Sequence, residues 1–96
     1  MVYVLKRMRV KDALWELSDA ERKEMLAARK KMMEAAGRKL VTGHYKSFTG
    51  DHIFILSYPN LEAVQKVREE LMSHGGFGHS KYFEVEEEIL YEVVDP

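Results

Sequence analysis

The chain reads as an α+β fold with the element order β-α-β-β-α-β, and three observations predict it. Two amphipathic helical stripes are separated by two β-rich runs around Thr49-Gly50. A β-rich run opens the chain, and a longer one, Lys81 to Val94 (KYFEVEEEILYEVV), closes it. The two halves have similar length, so each supplies one β-α-β unit of an antiparallel four-stranded sheet with both helices on one face.

Val2 to Val10 alternates loosely, with Val2, Val4 and Met8 on one side and Tyr3, Leu5, Arg7 and Arg9 on the other, as a half-buried strand does. Lys11 to Leu17 is a connector of about one helical turn. Ser18 and Glu21 then have the spacing of a capping box, and acidic Asp19 suits the positive end of the helix dipole. Met25, Ala28, Met32 and Ala36 recur at helical spacing, widened by Leu26 and Met33, and Gly37 stops the helix.

Leu40 to Phe48 and His52 to Tyr58 form the hairpin strands. Pro59-Asn60 ends the second, and Asn60 is a good helix cap. Leu61, Val64, Val67 and Leu71 carry the second helical stripe, which ends at Gly75-Gly76. The closing strand spans about fourteen residues where about five or six is usual. Such a small sheet has little with which to pair it, so its second half is expected to reach a second copy of the chain. Glu87, interrupting the apolar face of Phe83, Val85, Ile89, Tyr91 and Val93, marks a bulge, a bend, or that change of role. Arg7 and Arg9 are expected opposite Glu84, Glu86 and Glu88, with Leu90 beside them. These six residues are the candidate dimer interface.

The chain of 96 residues is expected to form one domain, 1–96, with 46% hydrophobic and 32% charged residues. A net charge of −1 removes the electrostatic drive for generic nucleic-acid binding, and Arg29-Lys30-Lys31 reads as a short exposed helix face. The absence of cysteine excludes disulfides, a thiolate nucleophile and a Cys-type zinc site. No apolar run is long enough to cross a membrane, and the N-terminal run is too short for a signal peptide, so a cytoplasmic location is expected.

Sheet-to-sheet pairing of two such ferredoxin-like subunits makes a dimeric α/β barrel. VYVLKRMR at the start, LWELSDAERKEML entering the first helix and KYFEVEEEILYEV at the end resemble the small darcynin-type proteins of the dimeric α/β-barrel superfamily. The resemblance implies the ferredoxin-like fold and a homodimer, and no particular reaction. The superfamily includes haem-dependent enzymes, cofactor-free monooxygenases, lactone isomerases and proteins without known chemistry, so fold alone does not choose among them.

The candidate pocket residues are Trp15, His44, Tyr58 and His79. Trp15 sits at the expected mouth of a pocket between sheet and helices, where an indole stacks on flat ligands or plugs the core. Tyr58 offers a hydroxyl, although strands favour tyrosine anyway. With a two-residue turn, His44 opposes Ile55 and Ser47 opposes His52, so His44 and His52 point to opposite faces and share no metal site. His74 and His79 flank a Gly-rich loop. A haem ligand there is the bolder reading, and a histidine at a helix C-terminus the simpler one. No motif implies a metal or a cofactor. Two functions follow: a small-ligand binder or cofactor-poor oxidoreductase or isomerase with a pocket between sheet and helices, and a non-catalytic dimeric module. The residues do not choose between them.

Overall fold

The structure is a computed structural model that describes residues 1–72 and 79–94. Its elements are β1 (Val2–Val10), α1 (Asp12–Trp15), α2 (Asp19–Ala35), β2 (Lys39–Leu40), β3 (Tyr45–Lys46), β4 (His52–Tyr58), α3 (Leu61–Met72), α4 (His79–Tyr82) and β5 (Phe83–Tyr91). All sheet pairings are antiparallel in the order β2-β4-β1-β5, with β3 also on β4. With α2 and α3 as the long helices, this is the ferredoxin-like arrangement that the element order predicts.

Local chemistry sets the helix ends. Ser18 Oγ accepts from the Glu21 amide at 3.2 Å, and Glu21 Oε1 accepts from the Ser18 amide at 3.4 Å, completing the capping box of α2. Gly37 takes φ 93°, and the Arg38 amide donates to the Met33 carbonyl at 3.1 Å, so the chain reverses after α2. A Cβ at position 37 would lie 2.6 Å from Pro59 Cγ, a second reason for glycine there. Asn60 Oδ1 accepts from the Ala63 amide at 2.8 Å and caps α3.

The core lies on one face of the sheet. Val2, Val4 and Met8 of β1, Phe54, Leu56 and Tyr58 of β4, and Phe83 of β5 pack beneath Met33 of α2 and Val64, Val67 and Leu71 of α3. Each fully buried aliphatic or aromatic side chain of this set contributes roughly 1.5–3 kcal/mol by leaving water. The register places Tyr3, Leu5, Arg7 and Arg9 of β1 on the opposite, open face, beside Ile53, Ile55 and Ser57 of β4.

Four expectations for the closing strand are corrected. The closing strand has nine residues rather than about fourteen, because Lys81 and Tyr82 belong to α4 and Glu92 to Val94 lie beyond the strand. It pairs with β1 from Phe83 to Tyr91 inside its own subunit, so no half is left over for a partner. The register shift lies between Arg7 and Met8, which oppose Glu87 and Val85 and leave Glu86 as the extra residue. Beyond that bulge the alternation inverts. Glu88 and Leu90 pair with Lys6 and Val4 on the helix face, whereas Ile89 and Tyr91 pair with Leu5 and Tyr3 on the open face.

The first hairpin strand is two short pieces, β2 and β3, separated by Val41 to His44. Arg29, read as part of an exposed run, is buried with its guanidinium 4.3 Å from the centre of the Phe83 ring. The loop from 73 to 78, with His74 and its glycines, lies outside the described residues.

Candidate functional site

Among the described residues several clefts border the sheet, one of about 390 Å³ beside Val2, Leu61, Leu90 and Tyr91 among them, and two of these clefts are lined by cationic side chains. The larger of these two, about 330 Å³, is lined by Lys6 of β1, Arg68, Leu71 and Met72 of α3, Ser80 of α4, and Phe83, Val85 and Glu88 of β5. The smaller, about 160 Å³, is lined by Met8, Arg29, Arg38, Leu40, His44, Phe54 and Leu56.

Lys6 is the unusual residue of the larger cleft. β1 alternation aims it at the helices between Val4 and Met8, where a strand normally carries an apolar side chain. Its Nζ makes no hydrogen bond or ion pair among the described residues. Glu88, its cross-strand partner, is instead held by Arg68, whose Nε donates to Glu88 Oε1 at 3.2 Å. Burial lowers the Lys6 ammonium from 10.5 to about 8. Glu88 opposes that shift, while the charges of Arg29, Arg68 and Arg38 reinforce it.

Arg29 is perturbed as well. Burial, and then the charge of Arg38, lower the Arg29 guanidinium to about 10. Arg38 Nη1 lies 3.7 Å from Met33 Sδ, and its buried Nε has no hydrogen-bond partner among the described residues. Lys6 therefore lies in the field of Arg29, Arg38 and Arg68, of which Arg68 lines the same cleft and Arg29 and Arg38 line the smaller one, with Glu88 as the opposing carboxylate. An excess of positive charge in a poorly solvated space favours an anion.

The residues singled out from the sequence are scattered. Trp15 is 64% exposed, with the Arg22 guanidinium over its ring, and lines neither cleft. Tyr58 is buried in the core, and burial raises its hydroxyl above the ordinary value. His44 lines the smaller cleft from its outer side, edge-on to Phe54 with ring centres 5.1 Å apart. The side chain of His79 lies outside the described residues.

The separation of His44 and His52 is corrected: His44 Nε2 and His52 Nδ1 are 2.8 Å apart. The turn is longer than two residues. The Ser47 amide donates to the Asp51 carbonyl at 2.8 Å, and Ser47 Oγ accepts from the Asp51 amide at 3.0 Å. Tyr45 and Lys46 therefore oppose Ile53 and His52, one residue out of the expected register, and every side chain changes face. Burial, and then the charges of His44 and Lys46, push His52 below the ordinary imidazole value. No cluster of three or more metal-ligating side chains occurs among the described residues. No described histidine side chain lines the larger cleft.

The six candidate interface residues divide between the faces. Arg7 Nη1 lies 2.9 Å from Glu86 and 3.6 Å from Asp51 on the open face. Arg9 contacts the same two carboxylates at 3.2 and 3.1 Å. Glu84 stands across from Arg9 there. Glu88 and Leu90 face the helices instead. Asp51, not singled out from the sequence, is buried within the open-face network. Burial pulls its carboxyl upward, but hydrogen bonds with Arg9 and Glu86 and the arginine charges outweigh burial and hold it below its usual value. Lys6 was also missed. Its signal was present: a lysine at an inward position of VYVLKRMRV.

No family model and no curated protein matches the chain. Solved structures do. The chain aligns over 98% of its length with a chlorite dismutase candidate, TA0507, at 20% identity and a TM-score of 0.72, and spans 44% of that chain. It also aligns with protein Atu4242 from Agrobacterium tumefaciens (14% identity, TM-score 0.56, 98% of this chain and 94% of that one). SnoaB, a cofactor-independent oxygenase from Streptomyces nogalater, aligns at 16% identity and a TM-score of 0.55 over 99% of this chain and 94% of its own. At these identities the likeness is one of fold: the chain has the ferredoxin-like α+β fold.

Proposed function

We propose that this chain binds a small organic anion in the larger cleft between its sheet and its helices, as a homodimer of darcynin-like type. One observation carries the reading. A cleft of about 330 Å³ with Leu71, Phe83 and Val85 in its wall is also lined by Lys6, Arg68 and Glu88, and the further guanidiniums of Arg29 and Arg38 act on Lys6 from the smaller cleft. Apolar walls with a few convergent charged groups are what ligand sites offer. Cations beside a carbonyl oxygen also stabilise an enolate. The cleft therefore suits cofactor-poor oxidation or isomerisation of a carbonyl compound, and SnoaB shows that cofactor-independent oxygenation occurs on this fold.

The homodimer reading rests on the open sheet face. Tyr3 and Tyr91 stack there at 5.4 Å beside Leu5, Ile53, Ile55 and the half-exposed Ile89, around the Arg7, Arg9, Asp51 and Glu86 network. An apolar ring about a satisfied polar centre suits a second copy of the same face. Sedimentation that shows only monomer at every concentration would remove this part.

The second reading is a dimeric module without a ligand. The exposed Trp15 and His44, which line no part of the larger cleft, favour it. Fluorescence titration with 1-anilinonaphthalene-8-sulfonate, against its neutral analogue N-phenyl-1-naphthylamine, separates the two. The anion-binding reading expects saturable sulfonate binding that Lys6→Met weakens about tenfold or more, with the neutral probe little changed. Equal binding of both probes, or indifference to Lys6→Met, supports the module.

A further inference from the structure

We propose that Lys6 Nζ condenses with the carbonyl group of a small 2-oxo acid held in the larger cleft, forming an imine. This rests on the reading that the cleft takes a small organic anion. Four observations carry it further. Lys6 comes from the central strand β1, so its stem is fixed by a sheet paired on both sides. Lys6 lines the cleft, and its Nζ makes no hydrogen bond or ion pair among the described residues. Leu71, Phe83 and Val85 line the same cleft with apolar surface. Glu88 stands opposite Lys6, held in place by Arg68.

A 2-oxo acid fits these groups part by part. Its carboxylate answers Arg68, the guanidinium that lines the cleft, and a short apolar or aryl body meets Leu71, Phe83 and Val85. Its ketone presents an electrophile to the amine. The Nζ lone pair attacks the carbonyl carbon, and the carbonyl π electrons move to oxygen. A proton passes from nitrogen to that oxygen, with Glu88 as the relay. Loss of water then leaves the C=N bond. One water forms per imine, nothing is oxidised or reduced, and no cofactor is consumed.

A desolvated lysine is the form of this residue suited to the step, because the free amine and not the ammonium attacks. Glu88 and Arg68 share its cleft, Arg29 and Arg38 act on it from the smaller one, and the balance of burial and charge lowers its ammonium to about 8. At pH 8 its free-amine fraction is then about a hundredfold that of an ordinary surface lysine.

The test is reductive trapping. The intact chain is incubated at pH 8 with phenylpyruvate, reduced with sodium cyanoborohydride, digested and mapped by mass spectrometry. Phenylacetone, which lacks the carboxylate, is run in parallel. The proposal expects one adduct, on Lys6, at least about tenfold above that on exposed lysines such as Lys30, with phenylacetone trapped far less. Lys6→Arg is expected to abolish it, and circular dichroism reports whether that variant folds. Mapping in the natural chain needs no variant, so the proposal stays falsifiable if Lys6→Arg does not fold. An adduct spread evenly over the lysines, or one missing from Lys6, overturns it. Saturable calorimetric binding of phenylpyruvate without a Lys6 adduct overturns the imine alone and leaves the anion-binding reading intact. No binding at all removes both.

Discussion

Replacing Lys6 by methionine keeps a long apolar stem in the cleft and removes the ammonium. The fall of its pKa from 10.5 to about 8 measures how much less the folded protein favours the charged form than the unfolded chain does. At about 1.4 kcal/mol per tenfold, that is about 3 kcal/mol of stability lost at neutral pH, with the attraction of Glu88 already included. The cleft opens to solvent, which trims the figure, so Lys6→Met is expected to be about 1–3 kcal/mol more stable at pH 7. The pH dependence fixes the sign. Below about pH 8 both folded and unfolded lysine are charged, and the penalty is complete. Between about 8 and 10.5 the unfolded chain binds more protons than the folded one, so the natural chain gains stability as pH rises. The two proteins therefore converge towards pH 10. Urea unfolding at pH 7 and pH 10, at one protein concentration, reads this directly. A variant less stable at pH 7, or a difference that does not shrink with pH, refutes the desolvated ammonium.

Other positions test the rest of the structure. Gly37→Ala forces a Cβ into a left-handed residue and to within 2.6 Å of Pro59, so a loss of at least about 1–2 kcal/mol is expected in thermal unfolding. Phe83→Ala removes a buried ring and the surface beneath Arg29, and about 3–5 kcal/mol should be lost. Asp51 is held below its ordinary value by Arg9, Glu86 and Arg7 after burial has been overcome, so its contribution is present above about pH 4 and lost as pH falls through its folded value. Asp51→Asn should flatten the acid limb of stability against pH, and an unchanged limb would show that the network contributes nothing there.

The element order was legible because it rests on local signals: the Ser18–Glu21 box, Gly37 behind α2, Asn60 before α3 and two helical stripes. Side-chain direction was legible only where register is simple. In β5, alternation alone could not say that Glu86 is the extra residue, and that one residue moves Glu88 and Leu90 to the helix face and Ile89 and Tyr91 away from it. In the hairpin, the Ser47–Asp51 hydrogen bonds choose a turn longer than two residues and bring His44 onto His52. Arg29 looked exposed because it sits in a charged run, yet helical spacing from Met25, Met32 and Met33 puts it on the same inner side. The larger cleft was hardest to foresee. It draws on β1, α3, α4 and β5, and only the folded chain brings Lys6, Arg68 and Glu88 together.

The central claim is that a small organic anion occupies that cleft, and methyl chemical-shift mapping by NMR during titration with phenylacetate tests it most directly. Saturable shifts at Leu71 and Val85, with little change at Ile53 and Ile55 on the open face, are the expected result. Shifts confined to the open face, or none at Leu71 and Val85, would contradict it.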